Sequence, residues 1–75
     1  MLKLTILGSN QTEVSLDNKR VLFSYNTPVA AWVSGIGYIR TDKKFSVTTS
    51  KHITLWLAGN TARTVPQSEI EALLS

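Results

Sequence analysis

Phe45-Ser46-Val47-Thr48-Thr49-Ser50-Lys51-His52-Ile53-Thr54-Leu55-Trp56-Leu57-Ala58-Gly59-Asn60 is the stretch in which the chain changes its hydrophobic period. Ile53, Trp56 and Leu57 stand at i, i+3 and i+4, the spacing of one helix face. Thr48, Thr49 and Ser50 precede them, and such hydroxyls cap a helix by accepting a free backbone N–H. Gly59-Asn60 supplies the stop. Phe45 and Val47 still alternate with Ser46 and read as a sixth short strand.

Everything upstream follows period two. Leu2, Leu4 and Ile6 share one face of a first strand, and Gly8-Ser9-Asn10 is a turn cluster. Val14 and Leu16 alternate with Glu13, Ser15 and Asp17 in a second strand. Asp17-Asn18-Lys19 is a hairpin signal, because Asp and Asn tolerate left-handed backbone. Val21-Leu22-Phe23-Ser24-Tyr25, Val29-Ala30-Ala31-Trp32-Val33 and Tyr38-Ile39-Arg40-Thr41 are the next three, rich in β-branched and aromatic residues. Pro28 opens the fourth, and Gly35 and Gly37 turn the chain into the fifth. Asp42-Lys43-Lys44 is a hairpin tip or a bulge.

Downstream, Pro66 starts a second helix, with Glu69 and Glu71 in or near its first turn and Ile70, Leu73 and Leu74 on its buried face. The expectation is one α+β domain over residues 1–75: a small, mostly antiparallel sheet of five or six strands followed by two short C-terminal helices packed on one side.

Composition narrows the function classes. The 75 residues are 43% hydrophobic and 17% charged, too apolar for a disordered chain. No Cys and a single His exclude a disulfide framework, a thiol nucleophile and a His-rich metal site. The longest apolar run, residues 29–33, is far short of a membrane span, and no secretory signal pattern is present. The chain begins with Met and carries no tag, so the expectation is a complete small gene product. No GxxxxGK[ST] or GxGxxG occurs, and the five acids are scattered. A binding protein without cofactor or metal, rather than an enzyme, is expected.

The net charge of +3 hides an asymmetry. Seven of the eight cations (Lys19, Arg20, Arg40, Lys43, Lys44, Lys51, Arg63) fall in residues 19–63 against one acid, Asp42. A basic middle attracts nucleic acid, an anionic membrane or an acidic protein, or is simply a solvated surface. Two segments carry the sharper reading. Tyr38 and Arg40 share a strand face, with Lys43 and Lys44 next, so a ring beside cations offers a platform for single-stranded nucleic acid; alternatively Tyr38 packs an edge. Thr49, Ser50, Lys51 and His52 stand at a helix start, where Lys51 and His52 oppose the dipole by about a few tenths of a kcal/mol. An anion bound there removes that penalty; otherwise the hydroxyls only cap the helix. His52 lies four residues before Trp56, which suggests a plain ring contact. Trp32 and Trp56 read as core. An edge strand after Pro28 would let two copies pair as a homodimer.

Two blocks, Phe23-Ser24-Tyr25-Asn26-Thr27-Pro28-Val29-Ala30 and Tyr38-Ile39-Arg40-Thr41 with Lys44-Phe45-Ser46-Val47-Thr48-Thr49-Ser50-Lys51-His52-Ile53 and Trp56-Leu57, resemble the F-S-Y-x-T-P-V-A and Y-x-R-T…K-[YF]-S-V-T-T-S-[KR]-H-I-x-x-W-L elements of a family of small uncharacterised bacteriophage and prophage proteins. The Val65-Pro66-Gln67 helix start is also similar. The resemblance implies origin in a phage or mobile element and the host cytoplasm, and carries over no catalytic residue. The expected function is that of a non-enzymatic accessory protein binding nucleic acid, or a host nucleic-acid-associated protein, through Arg40, Lys43, Lys44 and Lys51, aided by Tyr38. The alternative is a protein-binding inhibitor or assembly factor whose basic patch meets an acidic host protein.

Overall fold

The computed structural model describes residues 3–8 and 10–74. Leu2 and Ser9, expected in the first strand and its turn, lie outside the described residues. The order is β1 (Lys3–Gly8), β2 (Gln11–Leu16), β3 (Lys19–Ser24), β4 (Thr27–Val33), β5 (Gly37–Thr41), α1 (Val47–Leu57), β6 (Arg63–Val65) and α2 (Gln67–Ala72). The strands form one six-stranded sheet in sequence order. The first five are antiparallel neighbours, and β6 adds in parallel to β5 after the α1 crossover. The α+β class is as expected.

Three details differ from expectation. The sixth strand is not Phe45-Ser46-Val47, which forms the entry to α1, but Arg63–Val65. Asp42-Lys43-Lys44 is neither hairpin tip nor bulge; it leads from β5 into α1. The helices do not pack on one side. Val21 and Leu22 are adjacent on β3 and point to opposite faces. Val21 packs with Ala31, Ile39, Val65 and Ile70 of α2, whereas Leu22 packs with Val29, Ala30 and with Ile53 and Leu57 of α1. The physical cause is a strand pair that is apolar on both faces, so each face needs its own cover.

A bulge refines this second core. Leu22 faces Ala30 and Phe23 faces Pro28, so β4 carries an extra residue there. The bulge sends Val29 and Ala30 to the α1 face together. Full burial of Leu22 contributes roughly 1.5–3 kcal/mol by removing its surface from water.

The strand after Pro28 is interior, hydrogen-bonded to β3 and β5, so it offers no edge for a second copy. The edges are β1 and β6. On β1, Leu4 and Ile6 are exposed. No helix among the described residues is long and apolar enough to cross a membrane.

Candidate functional site

Helix α1 begins at Val47 with Ser46 as its N-cap, two residues before the earliest cap expected from sequence. Ser46 has extended backbone and its Oγ accepts the Thr49 N–H at 3.1 Å. No acidic side chain lies in the first turn, so the positive end of the helix is uncompensated from within. Lys51 and His52 lie beyond that turn, where the dipole has faded, so the expected penalty at these residues does not arise. At the other end Ala58 takes the left-handed conformation at φ 51°, and Asn60 donates both its N–H and its side-chain amide to Leu57 O.

A buried polar chain pins this helix to the sheet. Ser24 on β3 is 2.8 Å from His52 Nδ1 and 3.0 Å from Thr49 Oγ1. Ser46 Oγ in turn donates to Thr49 Oγ1 at 3.3 Å. His52 is therefore buried with a hydroxyl partner, and its ring meets Tyr25 at 6.1 Å between centroids. Trp56, the ring expected beside His52, stacks edge-on against Tyr38 at 5.6 Å and donates Nε1–H to Glu13 at 2.8 Å. Both tryptophans, expected in the core, are half-buried: Trp56 packs against the α1-side core, and Trp32 has the Arg20 guanidinium 5.2 Å from its ring.

Beside this anchor, the segment between β5 and α1 wraps a cavity of about 390 Å³. Arg40 reaches it from β5, and Lys43 and Lys44 from the connecting segment. Thr49, Ser50 and Ile53 face it from α1, and Ala62 and Thr64 close it from the β6 side. The buried Thr41 side chain accepts the Lys43 N–H at 3.0 Å and Asp42 N–H continues the ladder to Val65 O at 2.9 Å, so the segment is tied at its root. Three cations and one carboxylate, Asp42, thus line one concavity. Clefts lined mostly by one sign of charge concentrate counter-ions.

Of the eight residues singled out from sequence, Arg40, Lys43, Lys44, Thr49 and Ser50 meet in this cavity. Thr49 is buried and its hydroxyl is taken by Ser24 and Ser46. Lys51 lines an adjoining hollow of about 340 Å³ with Ser50, Val47 and Leu55. His52 is held in the polar chain, and Tyr38 faces α1 with its hydroxyl 3.5 Å from Arg20 Nη2. Neither of these two lines the cavity. The aromatic at its rim is Phe45, its ring 5.4 Å from Lys43 Nζ. An aromatic immediately after Lys43-Lys44 is a signal the sequence carried; the approach of Thr64 depends on β6 pairing and had none.

Among the described residues no group of three or more His, Cys, Asp and Glu side chains is placed to hold a metal ion. No curated protein and no solved structure matches the chain. A family model does, over residues 2–72, and the chain thereby belongs to a family of unknown function (DUF8033).

Proposed function

We propose that this is a non-enzymatic phage accessory protein that binds nucleic acid through the cavity lined by Arg40, Lys43 and Lys44. The phage origin rests on the resemblance of the residue 23–30 and 38–57 blocks. The observation that carries the binding reading is the convergence of those three cations, from a strand and the segment after it, on one concavity. A polymer suits the site better than a lone ion, because the hollow bordered by Lys51 adjoins the cavity through their shared Ser50. Phosphates would sit on the cations and release their counter-ions, which makes the affinity strongly salt-dependent.

The test is fluorescence anisotropy of a labelled oligonucleotide across a salt series. Binding should weaken with salt, and the double variant Lys43→Ala/Lys44→Ala should flatten the log–log slope by about 1.4 for a single strand, at about 0.7 per phosphate contact. Absent or salt-independent binding to both DNA and RNA overturns the proposal.

A second reading, supported by the exposed Leu4 and Ile6 of edge strand β1, is a protein-binding inhibitor or assembly factor. A pull-down from host lysate with and without nuclease separates the two: a partner held through nucleic acid disappears on digestion.

A further inference from the structure

Phe45 and Thr49 border two cavities at once. One is the basic cavity. The other, of about 320 Å³, lies toward the β3–β4 hairpin, where Val29, Tyr25 and Phe45 line it beside the hydroxyls of Ser24 and Thr27. Tyr25 is 51% exposed and Phe45 39% exposed, so both rings present surface to solvent. An apolar hollow edged by two exposed rings thus adjoins a cation-lined one.

We infer that the ligand is single-stranded nucleic acid, with one unstacked base seated in the hollow between Tyr25 and Phe45 and its phosphate in the neighbouring cavity on Arg40, Lys43 and Lys44. This rests on the nucleic-acid reading and names the form of the polymer. Base faces stack on aromatic side chains irrespective of sequence, while cations track the backbone. A base inside a duplex has both faces covered by its neighbours and cannot enter such a hollow without being flipped out. The sequence pointed to Tyr38 as the stacking ring, but Tyr38 is engaged by Trp56. Tyr25 and Phe45 take that role: Tyr25 follows Ser24 and Phe45 precedes Ser46, and both of those hydroxyls are tied to Thr49 of α1.

The experiment compares the 75-residue chain with labelled oligothymidine, oligouridine and a DNA duplex of equal length at one low salt concentration. Single strands should bind about tenfold or more tighter than the duplex, the scale of one stacked base. Phe45→Leu keeps apolar bulk and removes the ring. Tyr25→Asn removes the other ring and suits the left-handed backbone at φ 58°. Each should weaken single-strand binding by about tenfold while leaving the salt slope unchanged, with circular dichroism showing the fold intact. Equal binding of duplex and single strand, or a salt-dependent affinity indifferent to both ring substitutions, overturns this inference and leaves the nucleic-acid reading standing. An oligoglutamate peptide of equal charge that binds as tightly as oligothymidine also overturns it, because the site then reads charge alone. Absence of salt-dependent binding to every oligonucleotide removes the nucleic-acid reading itself.

Discussion

The Ser24 hydroxyl touches both Thr49 and His52 and is 2% exposed, so every hydrogen bond it makes is shielded from water. Ser46 Oγ–H donates to Thr49 Oγ1, and the Ser24 hydroxyl bridges Thr49 Oγ1 and His52 Nδ1. Removing Ser24 takes the hydroxyl partner from buried His52 Nδ1 and leaves Thr49 Oγ1 with Ser46 alone. Ser24→Ala should therefore cost about 1–3 kcal/mol, a fall in melting temperature of about 4–24 °C at this size. Thermal unfolding followed by circular dichroism checks this, and an unchanged midpoint contradicts it. None of this was legible from sequence. His52 and Ser24 are 28 positions apart, and Ser and Thr are too abundant in the chain for any one of them to stand out. Arg40, Lys43 and Lys44 were legible because charge is read residue by residue.

At the scale of the element, α1 shows what periodicity gives and what it withholds. The Ile53, Trp56 and Leu57 face, the Gly59-Asn60 stop and the position of the helix all follow from spacing. The cap does not. Thr48, Thr49 and Ser50 compete on composition, yet Thr49 is drawn inward by Ser24 and only Ser46 keeps the extended backbone that an N-cap needs. Ser46→Ala should cost about 1 kcal/mol, whereas Thr48→Ala, an exposed position inside the first turn, should change stability by less than about 0.5 kcal/mol. Urea titration of the two variants distinguishes them, and the reverse order contradicts the assignment. Strand β6 escaped notice for another reason: three residues carry no periodicity, and Arg63–Val65 becomes a strand only because β5 offers it a free edge.

For the whole molecule, the arrangement of the two helices decides where function can sit. The uninterrupted apolar runs Val21-Leu22 and Val29-Ala30-Ala31 are the sequence signature of strands covered on both faces, and α1 and α2 supply those covers. Reading each strand by one alternating face alone leads to the one-sided packing that the structure corrects. With α2 on the far face, α1 is free to lie over β3 and to bring the segment 42–46 against the β5–β6 face, which is what creates the basic cavity. The apolar edge strand, β1, is at the opposite end of the sheet from β6, so the exposed Leu4 and Ile6 are segregated from the basic cavity. The single acid in the cavity is Asp42, and it opposes an anionic ligand. The central claim is that this cavity is where nucleic acid binds. Titrating the isotope-labelled protein with oligothymidine while recording backbone amide shifts tests it most directly. The predicted result is a set of salt-sensitive shifts confined to residues 40–51 and 62–64 and to Tyr25, with Asp42→Asn tightening the complex. Shifts centred on β1 and β2, with the 40–51 segment unmoved, would contradict it.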